Sequence, residues 1–209
     1  MLGLDPITIA LRIPALLLAI TVHEYAHARI AYKFGDSTAK MQGRMNLNPI
    51  NHLDPVGTIM ILLVGFGWAK PVPINPQNFS RYREGLRWVS LAGPLSNFIF
   101  GFFTYLLLNI LIVNGLTAGL LMQFLVVLLQ LNIWLGLFNL IPIPPLDGSK
   151  ILLSFLSTSS LSIYRNIERY APIILLILIL TGALGMIIFP LYNVMLSFFD
   201  LVIRFIPFI

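Results

Sequence analysis

Between Trp88 and Leu146 the chain carries not one Asp, Glu, Lys or Arg. A soluble domain is roughly a quarter charged residues, whereas the whole of this 209-residue chain is 10% charged and 58% hydrophobic, with mean hydropathy +0.90. Such a run belongs in lipid, where no water is present to bond the backbone, so only helices or closed barrels satisfy its N–H and C=O groups. About 20 apolar residues carry a helix across the hydrocarbon, and the run is long enough for two. Its one turn signal, Asn114-Gly115 through Gly119, predicts helices over 88–113 and 116–140.

The flanking segments extend the pattern. Asp5-Pro6 reads as an N-cap and first helical position, and Lys33 with Gly35 reads as a helix end. A first membrane helix is therefore expected over 6–34, kinked at Pro14. Residues 56–68 are apolar but too few to span, punctuated by glycine, and followed by Lys70-Pro71-Val72-Pro73. The segment 56–73 is expected to be re-entrant, or a β-hairpin. After Asp147 come a polar loop at 157–160, a short interfacial helix at 164–170, and spans over 172–189 and 190–207 opened by prolines. The expected fold is an all-α polytopic membrane protein, one domain over 1–209. It has about five transmembrane helices plus the re-entrant or hairpin element after the first.

Cysteine is absent, which excludes disulfides, thiolate metal sites and a cysteine nucleophile. The net charge of +5 would suggest nucleic acid for a soluble chain. Here the cations sit in loops beside apolar spans, so the expected partner is the bilayer and not nucleic acid. If 56–68 dips in and returns, Arg29, Lys33, Lys40, Arg44, Lys70, Arg81, Arg83, Arg87, Lys150, Arg165 and Arg169 share one side. These are eleven of the thirteen Lys and Arg, and the positive-inside rule makes that side the cytoplasm. The N-terminus lacks the basic region of a cleaved signal peptide, and a multi-pass protein of the cell membrane is expected.

The first helix also contains His23-Glu24-Tyr25-Ala26-His27. On a helix the two imidazoles fall at i and i+4 on one face, the spacing for a single metal ion, with the glutamate placed as general base. Ionisable residues at membrane depth are costly and read first as functional. Catalytic zinc takes three protein ligands and keeps one position open. The remaining candidates are His52 and seven acids: Asp5, Asp36, Asp54, Glu84, Asp147, Glu168 and Asp200. Asp147 follows the uncharged run on a proline-broken loop, Ile141-Pro142-Ile143-Pro144-Pro145-Leu146, and is assigned as third ligand. The expected site is one zinc on His23, His27 and Asp147, with Glu24 accepting the proton of the attacking water in peptide hydrolysis. His52 reads as part of an ordinary polar loop. Asn97 and Asn139 are amides at membrane depth, open to helix–helix hydrogen bonding or to catalysis.

These motifs resemble the site-2 protease family of intramembrane zinc metalloproteases, peptidase M50. The likeness rests on Val22 to His27, on Leu91-Ala92-Gly93-Pro94-Leu95-Ser96-Asn97, on Asn139, Pro142 and Pro144, and on Leu146-Asp147-Gly148. Asn48-Pro49, His52 to Gly57 and Gly65 to Pro73 add to it. All occur in family order, and the chain resembles the compact subgroup without a PDZ domain. The resemblance implies zinc on His23, His27 and Asp147, Glu24 as base, Asn139 near the oxyanion, and transmembrane proteins as substrates. It also implies that the glycine-rich segment after Val56 holds substrate by strand addition. Only twenty-two residues precede His23, so the extra N-terminal helix common in the family is not expected here. The competing readings are a metal-binding membrane transporter and a proteolytically inactive membrane chaperone. The first lacks a chain of carboxylates across the uncharged run, and the second is at odds with an intact Glu24.

Overall fold

The computed structural model describes residues 6–54, 57, 69–157 and 161–205. The first helix, α1, runs Pro6–Lys33. A short α2 (Thr38–Met41) and two 3-10 turns, Pro49–His52 and Pro76–Asn78, lie in the polar connection. Each turn opens on proline, and the asparagine before it accepts a backbone N–H: Ile50 N donates to Asn48 Oδ1 (3.2 Å) and Gln77 N to Asn75 Oδ1 (3.1 Å). Helices α3 (Tyr82–Val113) and α4 (Leu120–Asn139) fill the uncharged run. After them come α5 (Asp147–Phe155), α6 (Leu161–Leu180) and α7 (Ala183–Ile203).

Among the described residues, α3, α4 and α7 are long and apolar enough to cross a membrane. Helix α1 carries Arg12, Glu24, Arg29 and Lys33, and α6 opens with Arg165, Glu168 and Arg169, which dilutes the apolarity of both. The C-terminal boundaries differ from expectation. Pro172 and Pro190 do not start spans at 172 and 190 but lie inside α6 and α7, and the expected interfacial helix is the first half of α6. The chain breaks instead at Gly182, at φ +74°, a conformation open to glycine without a Cβ clash. Proline is tolerated within membrane helices because neighbours can re-satisfy the freed carbonyls.

No strand occurs among the described residues. Most of the expected re-entrant or hairpin element, 56 and 58–68, lies outside them. Its two flanks form an antiparallel bridge, Leu53 to Ala69, and Lys70 N donates to His52 O (3.0 Å). The chain therefore departs at Leu53 and returns beside its own point of departure.

Helix α1 packs against α3 and α4, α5 against α3, and α7 against α4. Ala15, Ala19, Ala28 and Ala31 of α1 are fully buried; in lipid, small residues let backbones approach and gain dispersion contacts where burial of apolar surface is no driving force. On the other side of α4, Leu125, Leu129 and Ile133 pack with Leu108 of α3 and with Ile188 and Phe199 of α7. The Phe102 and Phe199 rings meet edge to face at 5.4 Å, a favoured aromatic geometry. This packing holds α1, α3 and α4 in register around the polar groups they share.

Candidate metal centre

Helical spacing brings His23 and His27 together on α1, with ring centroids 4.6 Å apart and planes at 83°. Asp147 reaches them from the first turn of α5, across the loop that breaks α4. Gly148 makes that approach possible: a Cβ there would lie 2.1 Å from the Leu140 carbonyl oxygen, so only glycine lets α5 start against the end of α4. Three atoms converge: His23 Nε2 is 3.1 Å and His27 Nε2 is 2.9 Å from Asp147 Oδ2, and the two nitrogens are 3.0 Å apart. All three residues are buried, at 5–6% exposure.

The opposite edges of the rings settle what those atoms are. His27 Nδ1 donates to the Val89 carbonyl (2.7 Å). His23 Nδ1 donates to Asn97 Oδ1 (2.6 Å). The Asn97 amide cannot be turned around, because its Nδ2 donates to Ala19 O (3.0 Å) and Asn132 Oδ1 (2.9 Å). Asn132 in turn donates to Leu128 O (2.9 Å). Both Asn97 and Asn132 are wholly buried. With both Nδ1 atoms protonated, each neutral imidazole presents a lone pair at Nε2. Two lone pairs and a carboxylate oxygen then face one another in a buried space, an arrangement that calls for a cation at its centre.

Gly93 keeps that space open. A Cβ at this position of α3 would lie 2.5 Å from His23 Nε2 and 2.5 Å from His27 Nε2, in the volume an ion needs. Among the described residues this is the cluster of histidine and acid side chains able to hold a metal. Two nitrogens and one oxygen match the three protein donors of catalytic zinc. The Nδ1 partners supply the outer hydrogen bonds that fix ring orientation in such sites. Lys150 Nζ stands 3.4 Å from the other oxygen of Asp147 and balances part of its charge.

Glu24 is half-buried beside the cluster, and its Oε2 accepts the Val72 N–H (2.7 Å). Val72 lies between Pro71 and Pro73 in an extended segment that Arg44 fixes from the other edge, with Nη2 donating to Lys70 O (2.8 Å) and Pro71 O (3.2 Å). Asp36 secures the base of this segment. It is buried and accepts from Thr38 N (3.1 Å), Asn75 N (2.8 Å), Asn78 Nδ2 (2.9 Å) and the Thr38 hydroxyl. Burial opposes its charge, but these donors outweigh it and hold the carboxyl below its ordinary range.

Of the residues singled out by sequence, the structure brings His23, His27 and Asp147 together, with Asn97 behind His23. Asn139 donates to its own helix at Leu135 O (2.9 Å), and no hydrogen bond among the described residues ties it to the cluster. His52 is buried in the loop, with Nε2 against Asn46 O (2.9 Å). Sequence reading missed Gly93 as a spacer, Asn132 as the support of Asn97, and Asp36 and Arg44 as organisers of the extended segment. Asn132 did leave a signal, an amide at mid-helix in a strongly apolar span, but Gln123, Gln130 and Asn139 of the same helix share it, and burial is what sets Asn132 apart.

A profile described as peptidase family M50 matches residues 109–182, which include Asp147 but not the histidines. Among known proteins, YwhC of Bacillus subtilis is 44% identical over 85% of this chain and 84% of its own length. Rip2 of Mycolicibacterium smegmatis is 28% identical over 84% of this chain and 68% of its own. Both bear the name "putative zinc metalloprotease". Zinc metalloprotease MJ0392 of Methanocaldococcus jannaschii is 29% identical over 78% of this chain and 40% of its own length. No solved structure matches the chain.

Proposed function

The chain belongs to peptidase family M50 and is an intramembrane zinc metalloprotease, and from that premise we propose which residues perform the hydrolysis and from which side. His23, His27 and Asp147 hold the zinc, and Glu24 is the general base. One observation carries this reading: three lone-pair donors meet within 3.1 Å, with both tautomers fixed from behind. Zinc, when bound, supplies Lewis acidity toward the scissile carbonyl and the attacking water. Glu24 takes the proton of that water and passes it to the leaving amine. To do so its carboxylate exchanges the Val72 N–H for the water, a swing within the reach of one side chain. Asn139 is the proposed donor to the oxyanion, using an amide that now caps Leu135 O.

Substrates are membrane-embedded proteins. Lys70 O, Pro71 O and Val72 N are already engaged, and Pro71 and Pro73 have no N–H to give. A substrate strand would therefore pair with the residues before Ala69, in the glycine-rich part of the 56–73 element. The bridge between Leu53 and Ala69 supports a segment that dips and returns without crossing. With α1, α3, α4, α6 and α7 as five crossings, the end of α1, the start of α3 and Asp147 share one side. Eleven basic residues argue that this side is the cytoplasmic face of the cell membrane.

The test is Glu24→Gln in the full-length protein. It should keep about one zinc per chain and cleave a membrane-spanning peptide at no more than a hundredth of the wild-type rate, the lower range for loss of a general base. Wild-type cleavage by this variant, or unchanged zinc affinity in Asp147→Ala, would overturn the assignment.

A further inference from the structure

Outside the metal centre, the described residues form a groove of about 660 Å³ along the seam of α1 and α3. That volume falls within the range of about 300–1,000 Å³ typical of small-molecule sites. Its floor is apolar, built by Ala26 and Ile30 of α1 and by Ala92, Leu95 and Ile99 of α3. At the end where α1 finishes, Arg29 and Lys33 line it, one helical turn apart, with Trp88 opposite. Both cations are exposed, no acidic residue lines the groove, and among the described residues neither cation has a carboxylate partner.

We propose that this groove binds an anionic phospholipid, its phosphate between Arg29 and Lys33 and an acyl chain along the α1–α3 seam. The reasons are complementarity of charge and placement. Two unpaired cations one turn apart on a membrane protein present the donors an anionic headgroup takes. Trp88, 49% exposed, sits at the same end, the interfacial position that tryptophan favours. The small side chains of Ala26 and Ala92 leave a furrow where larger residues would have filled the seam.

A substrate segment is the rival occupant, and the geometry disfavours it. None of His23, Glu24, His27 or Asp147 lines the groove. Gly93 of α3 faces the histidines, while its neighbours Ala92 and Leu95 face the groove. A peptide lodged there would be separated from the metal centre by the body of α3. The lipid would instead brace the seam that carries both histidines, a role independent of which residue is the base.

The test uses full-length protein in bilayer discs containing equal phosphatidylglycerol and phosphatidylcholine, with retained lipid counted by native mass spectrometry. Wild-type protein should retain one phosphatidylglycerol in preference to phosphatidylcholine. Arg29→Gln with Lys33→Gln should weaken retention about thirtyfold, since each cation near the surface contributes about a factor of five to anionic lipid binding. Ala92→Leu, which fills the furrow and keeps both cations, should displace the lipid as well. Zinc content at the wild-type level shows that each variant is folded. Equal retention of the two lipids by wild-type protein, or retention unchanged in both variants, overturns the proposal. So does displacement of phosphatidylglycerol by a membrane-spanning substrate peptide, which would assign the groove to substrate.

Discussion

Substituting alanine for Gly93 adds one methyl group and tests the metal centre without touching a ligand. Its Cβ would lie 2.5 Å from both Nε2 atoms, whereas a zinc ion sits about 2.0–2.1 Å from such nitrogens. Methyl and ion therefore compete for nearly the same volume. Helix α3 can yield only by moving away from α1, against the close contact of the buried alanines. Overpacking of this kind costs about 1–3 kcal/mol. If that strain appears only when the ion occupies the site, it lowers zinc affinity by about 5-fold to 150-fold at 1.4 kcal/mol per decade. Competition against a chromophoric chelator in detergent measures the affinity directly. Thermal unfolding with and without added zinc gives a second reading, because an ion bound to the native state raises stability in proportion to the logarithm of its concentration over Kd. The variant should lose most of that zinc-dependent increment. Wild-type zinc affinity in Gly93→Ala, with an undiminished increment, would refute the idea that the three donors enclose the ion beneath this glycine.

Asn132→Leu should weaken zinc about tenfold by loosening the amide that fixes the His23 tautomer, the lower range for outer-shell groups. Asn109→Leu, which removes an amide that among the described residues is bonded within its own helix, should leave zinc affinity alone, and equal effects in the two variants would count against the relay. Arg44→Ala should lower the cleavage rate at unchanged zinc content, because it releases the carbonyls of Lys70 and Pro71 and with them the segment that holds Glu24; zinc content and peptide cleavage measured together decide this. Asp36→Asn should destabilise the protein at pH 7 by about 1.5–3 kcal/mol, the worth of charged hydrogen bonds. Because the folded Asp36 is held below its ordinary range, its contribution is present above about pH 4 and is lost as pH falls below that value. The gap between Asp36→Asn and wild type in thermal unfolding should therefore close in acid, and a gap constant down to pH 2 would remove Asp36 from this role.

How much of this was legible in the sequence depends on whether a residue acts through local spacing or through distant partners. His23 and His27 were readable because four residues of helix alone put them on one face. Asp147 was readable by its isolation after an uncharged run. The turn at Asn114-Gly115 was equally local, and α3 and α4 end and begin around it. The break between α6 and α7 was misplaced because proline at 172 and 190 carries the same local signal whether it opens a helix or lies within one. Only packing in lipid distinguishes the two. Gly93 and Asn132 were invisible for a different reason: each acts on a residue 35 or more positions away, through a contact that spacing cannot encode. Asn97 stood between these cases, recognisable as a costly amide but without a partner until α1 and α4 were placed beside α3.

The same separation explains why the site can exist in a membrane. Every polar group at its centre would be costly alone in hydrocarbon, and none is alone. His27 is paired to a backbone carbonyl of α3, His23 to an amide of α3 that is itself held by α1 and α4, and the other oxygen of Asp147 to Lys150. What these pairings leave unsatisfied is three lone pairs directed at one point, and that residue of unmet demand is what a divalent cation supplies. The proposed ligands sit on α1 and α5, elements that reach one another chiefly through α3. Binding the ion therefore ties the motif helix to the loop that delivers the aspartate, so the free energy of metal binding becomes part of the stability of the helix assembly. A metal held by these three residues would also be a structural cross-link, and the polar network behind the histidines is the means by which lipid-embedded helices would hold its ligands ready.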